Sequence, residues 1–326
     1  MKNVLVTGAT GFIGKQFVRF LLEKNHLVRV LLRDEKKSVL FDPCVDINVG
    51  DLTDPLTLKN ACVGIDTVFH LAGYAHAFEE NHASFAEEHH RVNFEGTENI
   101  LQKAIEAKVK RFIFFSSVKA VADHPRCIDE NFTLLPASSY GIAKRKAEEL
   151  VLSAKKTGMH VCILRPSLVY GPDWKGNLAA MLKAIDRGFF PPLPPIKNAR
   201  SMISIDDICE AAWLAALSPK ADGEIYFVTD NVPYSTDELY KTMREALGKS
   251  IPSFHIPLTG FKLLALCGDL GKKILKRRMP FDSESMKKLF GNAHYSSGKI
   301  HRDLGFIPRY DFKKMLPDII KKYHSS

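Results

Sequence analysis

Short apolar runs alternate with stretches of helical periodicity through the first half of the chain, at residues 4–6, 27–32, 45–49, 66–72, 111–117 and 160–167. Helical patterns such as 12–24 and 92–108 lie between them. Strands that are apolar on both sides need cover on both faces, and a strand–helix–strand alternation supplies it in a parallel sheet. The pattern predicts an α/β fold, a Rossmann-type doubly wound parallel sheet. After Pro166 the character changes to a proline-rich loop at 189–195 and helical patterns at 205–217, 236–247, 258–275 and 312–323, with one further strand at 224–229.

Directly after the first apolar run comes Thr7-Gly8-Ala9-Thr10-Gly11-Phe12-Ile13-Gly14. Glycines at this spacing let a strand turn sharply into a helix and bring backbone amides, at the positive end of the helix dipole, against a pyrophosphate. A glycine-rich turn alone is weak, but its place between a strand and an amphipathic helix favours a dinucleotide. We therefore read 1–168 as an NAD(P)-binding part, with segments near 200–230 returning to it, and 169–326 as a smaller, interleaved substrate-binding part.

Where NAD-preferring chains place an acid for the ribose hydroxyl, this one has Leu32-Arg33, with Lys36 and Lys37 behind. A guanidinium there grips a phosphate, which favours NADP(H) over NAD(H); the alternative is that Asp34 takes the ribose and Arg33 is simply exposed. Asp51-Leu52 could border the adenine, and Leu71-Ala72-Gly73 offers small residues where backbone must approach the cofactor.

Tyr140 and Lys144 are one helical turn apart and leave the same face. An ammonium beside a phenol lowers its pKa from about 10, which suits proton transfer to or from an alcohol oxygen. Ser117, at the carboxyl end of the fifth strand, would reach the same oxygen, while Ser116 points elsewhere because strand side chains alternate. The plain alternative is a solvated helix, with Lys144–Glu148 and Arg145–Glu149 as surface i,i+4 pairs.

Together GATGFIG, GDL, HLAG, VNFEGTENIL, FFSS, YGIAK and RPSLVYGP resemble the extended short-chain dehydrogenase/reductase family, its nucleotide-sugar epimerase, dehydratase and reductase group, over nearly the whole chain. The resemblance implies a Ser117/Tyr140/Lys144 triad, with Lys144 also on the nicotinamide ribose. It further implies Asn93 steadying the active-site helix, Pro166 and Ser167 bordering the nicotinamide, and a homodimer formed through helices that include residues 140–157. Val118-Lys119 stand where sugar dehydratases carry an Asp-Glu pair, which argues against dehydration. A C4 epimerase and a 4-keto reductase of a nucleotide-linked hexose both remain, Arg33 leaning to the reductase. Asn177, in GNLAAMLKAI, and Arg200 are the substrate-side candidates, Arg200 for the pyrophosphate because guanidinium matches phosphate oxygens. A surface pairing of Arg200 with Asp206 or Asp207 is the alternative. Leu168 replaces the asparagine that UDP-hexose epimerases place before Val-Tyr-Gly, a departure from their UDP-binding pattern. A reductase of steroid-like or flavonoid-like ketones and a catalytically idle NADP-sensing protein are the rival classes.

The net charge of +9 is spread along 326 residues and no aromatic platform is interleaved with it, so an acidic small ligand is expected and nucleic acid is not. Six cysteines, Cys44, Cys62, Cys127, Cys162, Cys209 and Cys267, form no C-x-x-C pair and read as reduced thiols of a cytoplasmic protein. The first apolar run breaks too early for a signal peptide, and no run is long enough to cross a membrane. Four histidines in 76–90 invite a metal, but this stretch reads as a loop and helix over the substrate pocket, where His76 or His82 could touch substrate; no metal is expected. The amphipathic stretch 261–278 ends in basic residues, as membrane-surface helices do. Gly268 and Gly271 interrupt it, so a helical pair capping the pocket is expected instead, and membrane association is not.

Overall fold

The computed structural model describes residues 2–75, 83–275, 279 and 281–325. The apolar runs become strands β1 (Asn3–Thr7), β2 (Leu27–Leu32), β3 (Asp46–Val49), β4 (Thr67–His70), β5 (Arg111–Phe115) and β6 (His160–Pro166). A short β7 (Leu168–Tyr170) pairs in parallel with β8 (Met202–Ser204) apart from the main sheet, and β9 (Glu224–Val228) joins that sheet beside β6. The order is β3-β2-β1-β4-β5-β6-β9, parallel throughout. Strand order reverses between β1 and β4, so their carboxyl ends, where Thr7 pairs with His70, open the crevice in which such sheets take ligands.

Two apolar layers cover the sheet. On one face Phe17, Val18 and Leu21 of α1 (Phe12–Glu23) meet Ile208, Ala211 and Ala215 of α6 (Ile205–Leu217). On the other, Ile100 and Ala104 of α3 (Gly96–Glu106) meet Ala147 and Val151 of α4 (Ser139–Ser153). A third cluster joins α5 (Asn177–Asp186), α7 (Thr236–Ala246), α8 (Leu258–Leu275) and α11 (Phe312–His324) around Leu182, Tyr240, Phe261 and Phe312. Tyr170 ties this cluster to the strand region: its hydroxyl donates to Asp230 Oδ2 at 3.0 Å, which also accepts from the Tyr234 hydroxyl at 2.9 Å. At the outer edge, the Glu130 carboxylate accepts the Phe227 amide of β9 at 2.8 Å.

Two expected helices differ. The pattern at 92–108 is interrupted: α2 (Ala83–His89) passes through a π turn, His90–Glu95, before α3 begins. The pattern at 258–275 is one continuous helix rather than a pair. Its glycines give room to neighbours: a Cβ on Gly268 would collide with the Phe281 carbonyl, and one on Gly271 would press on Met279 at 3.1 Å. The short β7, β8, α9 (Ser283–Phe290) and α10 (Gly298–Leu304) carry no periodicity long enough to be seen in advance.

Candidate active site

The glycine turn packs directly beneath the end of β4. Gly8 has φ +70°, and a Cβ there would lie 2.6 Å from the Ala72 amide nitrogen; a Cβ on Gly14 would strike the Gly8 carbonyl. Glycine at both positions lets the turn close against Ala72 and α1 close against the turn. Leu71 and Ala72 are in turn held by Thr7, whose carbonyl and hydroxyl accept their amides at 3.3 and 3.2 Å. Gly11 is the exposed N-cap of α1, and no side-chain cap and no acid occupy that first turn, which Phe12, Ile13 and Gly14 open. Thr10 is half-buried in the turn. Uncapped amides under a strand-end crevice suit a dinucleotide pyrophosphate.

One step further, a Cβ on Gly73 would sit 3.0 Å from Asn93 Oδ1 and 3.9 Å from Lys144 Nζ. The loop after β4 therefore lies against the glycine turn at Ala72 and close to Asn93 and Lys144 at Gly73. Asn93, buried on the π turn, donates to the Tyr74 carbonyl at 2.9 Å and accepts the Tyr74 amide at 2.8 Å. Its grip is on the loop after β4 rather than on α4, which differs from the expected role. It reaches the triad through His89, whose ring packs edge-on to Tyr140 with centroids 5.5 Å apart. A π turn at this point is a known mark of functional sites.

Ser138 caps α4 by accepting the Gly141 amide at 3.1 Å, which fixes the first turn from which Tyr140 and Lys144 project. Ser117 and Tyr140 come together: burial raises the phenol pKa, and the Ser117 hydroxyl pulls it back down by favouring the phenolate. Lys144 is buried against the end of β5. Its Nζ donates to the Phe115 carbonyl at 2.7 Å, lies 4.2 Å from the Phe114 ring centroid, and is driven down to about 7 by burial, with Glu148 opposing. The Tyr140 pKa is raised on balance by burial, and the Ser117 hydroxyl opposes that rise.

Glu148 is also not a surface partner. It is 1% exposed and accepts two bonds from the equally buried Arg165, at 2.8 and 2.6 Å, and one from Ser116 at 2.5 Å. The alternative of surface i,i+4 pairs describes Arg145–Glu149 and not Glu148. The signal that could have found the pair is the lone arginine in the otherwise apolar run 161–166. His70, fully buried between the Thr7 hydroxyl at 2.6 Å and the Thr97 hydroxyl at 3.0 Å, is pushed to about 3 by burial and stays neutral.

The remaining candidates fall at several places. Arg33 is exposed at the end of β2, while the Asp34 carboxylate accepts the Lys36 amide at 3.0 Å. Asp51 is engaged by the Thr53 amide and hydroxyl, both at 2.9 Å, and Leu52 is core. Pro166 ends β6, and the Ser167 amide donates to the Val228 carbonyl at 3.1 Å. Asn177 opens α5 at the surface. Arg200 donates through Nη1 to the Lys288 and Gly291 carbonyls at 2.6 and 3.3 Å. Asp206 accepts from Gln16 and Asp207 from Ser204, so the pairing of Arg200 with either acid is not what the structure holds. His76 and His82 lie outside the described residues. Among the described residues no group of histidine, cysteine or carboxylate side chains converges as metal ligands, and no helix is long and apolar enough to cross a membrane.

A parallel sheet with a glycine turn at its switch point and a Ser-Tyr-Lys set at the neighbouring strand end defines a Rossmann-type protein of the short-chain dehydrogenase/reductase kind. The chain belongs to the NAD dependent epimerase/dehydratase family, whose model matches residues 4–228. It is 34% identical over 274 residues to UDP-glucose 4-epimerase of Vibrio cholerae, covering 80% of this chain and 81% of that one. It is 28% identical to the N-acetyl-alpha-D-glucosaminyl-diphospho-ditrans,octacis-undecaprenol 4-epimerase of Escherichia coli O157:H7, covering 96% and 93%. The fold superposes on UDP-glucose 4-epimerase of Thermotoga maritima with a TM-score of 0.79 at 22% identity, over 99% of both chains.

Proposed function

We propose that the protein is an NAD(P)-dependent C4 epimerase of a hexose linked through a diphosphate. The observation that carries this reading is the placement of the Ser117, Tyr140 and Lys144 set at the carboxyl end of β5, where Lys144 Nζ donates to the Phe115 carbonyl at 2.7 Å and lies 3.9 Å from the Cβ position of Gly73 in the loop after β4. Two relatives named above act, by their names, on a hexose attached to a diphosphate, one on a nucleotide and one on a polyprenol.

Bound in the crevice, a nicotinamide would supply a carbon that takes hydride and gives it back. Gly8, Gly11 and Gly14 would admit its pyrophosphate, Gly73 and Lys144 its ribose, and Pro166 and Ser167 would border the ring. Tyr140 would receive the proton of the sugar C4 hydroxyl and return it to the same oxygen. Ser117 would hydrogen-bond the phenolate before the first transfer and donate to the sugar oxygen while that oxygen is a ketone and Tyr140 holds the proton. Arg200, held by two backbone carbonyls, offers its remaining donors to the substrate diphosphate. Homodimerisation through α4, whose Ile142 is 43% exposed, belongs to the same proposal.

A second reading, 4-keto reduction with NADPH, is favoured by Arg33: it is exposed at the β2 end while Asp34 is occupied with the Lys36 amide. One assay separates the two. The protein is incubated with UDP-hexoses and UDP-N-acetylhexosamines, with catalytic NAD⁺ or NADP⁺, and the C4 epimer ratio and nicotinamide absorbance are followed. Interconversion without net reduction supports the epimerase. Consumption of NADPH by a 4-keto sugar supports the reductase, and neither change overturns both. Equal binding of NADPH and NADH, unchanged in Arg33→Ala, would remove the NADP(H) preference.

A further inference from the structure

The segment that follows β5 is docked onto α4 through a glycine. Val118–Ala120 forms a single 3-10 turn with Ser117 as its N-cap: Ser117 Oγ accepts the Lys119 amide at 3.1 Å, and the Ser117 carbonyl accepts the Ala120 amide at 3.0 Å. On one side the turn is anchored by Val118 and Val121, which are buried with Ile128, Phe227 and Tyr295. On the other it meets Gly141, the buried residue after Tyr140. A Cβ on Gly141 would strike the Lys119 carbonyl and lie 2.7 Å from Pro136 Cβ and 3.0 Å from Ser138 Oγ. The nearest of these is backbone, in a turn pinned on its far side, so it cannot swing away as the end of a side chain would.

A serine hydroxyl has one hydrogen to give and two lone pairs to receive. In Ser117 the Lys119 amide takes up acceptor capacity and fixes Oγ, and an amide donating into a hydroxyl oxygen strengthens the bond its hydrogen can make. The hydrogen is left for a group across from it, and the group on which the Ser117 hydroxyl acts is the Tyr140 phenol. Ser117 and Tyr140 sit on two separate elements, so their spacing depends on how closely the turn and α4 approach. We infer that Gly141 is a positioning residue: its missing side chain lets the 118–120 turn close on α4 and so holds the Ser117 hydroxyl as a donor toward Tyr140. This role rests on the Ser117 and Tyr140 partnership of the proposed reaction, and not on which sugar is turned over.

The test reads the phenol directly, with no substrate present. The full chain is labelled with 3-fluorotyrosine, whose phenol ionises at lower pH than that of tyrosine, and the Tyr140 signal is identified by its loss in Tyr140→Phe. Its half-ionisation pH is followed by fluorine NMR. Ser117→Ala should raise that pH by roughly one unit, as for a lost hydrogen bond to a phenolate. Gly141→Ala should raise it comparably with the serine still in place. Adding Gly141→Ala to Ser117→Ala should change little more, because the glycine acts through the serine; an additive shift would assign it a separate, purely structural effect and overturn the role. Lys119→Pro removes the amide from Ser117 at a first-turn position that proline tolerates. Read against Lys119→Ala, which loses the same ammonium and keeps the amide, it should also raise the half-ionisation pH, and it decides the matter if Gly141→Ala does not fold. A folded Gly141→Ala or Ser117→Ala that titrates with the wild type, or a Lys119→Pro that titrates with Lys119→Ala, would overturn the role. On a substrate that is turned over, Gly141→Ala should lower kcat by about tenfold or more with KM little changed. Absence of turnover on every hexose tried would sink the C4 reading and leave the titration to decide the glycine.

Discussion

Glu148 of α4 and Arg165 of β6 meet in a two-pronged ion pair, at 2.8 and 2.6 Å, with both side chains 1% exposed. Ser116 adds a third bond to the same carboxylate, so one buried group ties together α4, β6 and the segment just before Ser117. Lys144 stands one helical turn before Glu148 and is raised electrostatically by it. The pair therefore lies directly behind the residues that face the crevice.

Removing one partner of such a pair leaves a charge in a dry interior. Glu148→Gln is expected to destabilise the fold by about 3–5 kcal/mol, measured by denaturant unfolding. Replacing both members with apolar residues, Glu148→Leu with Arg165→Met, should recover most of that loss. A single variant as stable as the wild type would mean that the pair is solvated.

Tyr140→Phe keeps the ring against His89 and deletes the hydroxyl. On any substrate identified, turnover should drop by about 10²–10⁴-fold with little change in melting temperature, as expected for a lost general acid–base. Full turnover in this variant would end the proton-transfer role.

The depressed Lys144 pKa gives a signed pH dependence. Its folded value of about 7 lies below its ordinary value of 10.5, so between these the unfolded chain holds the extra proton and stability rises with pH across that window. Stability from this source is lost as pH falls from 10.5 to 7 and changes no further below. In Lys144→Met the window is absent, so the stability difference between the two proteins should shift by on the order of 2–4 kcal/mol in favour of wild type from pH 7 to pH 10. Parallel stability curves across that range would place the lysine in water.

Gly14→Ala adds a methyl where the Gly8 carbonyl already sits. We expect a loss of about 1–3 kcal/mol of stability from overpacking, together with loss of any thermal stabilisation by NADPH or NADH. Retained stabilisation by a dinucleotide would show that the turn tolerates the shift.

The sheet and its glycine turn were legible because continuous apolar runs and close-packed glycines are local properties. The six first-half runs became β1 to β6 as their periodicity implied. Residues whose meaning depends on burial were misread. Glu148 has a lysine at i−4 and looks like a surface partner, yet its real partner is Arg165, on the neighbouring strand. The spacing of Lys144 from Tyr140 is local, but the partners that seat its ammonium, the Phe115 carbonyl and the Phe114 ring, are ones no spacing rule anticipates. The π turn at His90–Glu95 is equally invisible in composition, since it reads as one unbroken helical pattern.

The carboxylate of Glu130 has a consequence for how copies of the protein can assemble. By taking the Phe227 amide it removes a donor that β9 would otherwise hold out to a passing chain. The opposite margin is β3, only four residues long and carrying Asp46 in an ion pair with Arg29. Extension of the sheet from one molecule into the next is thus blunted at both ends, so any assembly of copies would have to use helical surfaces instead.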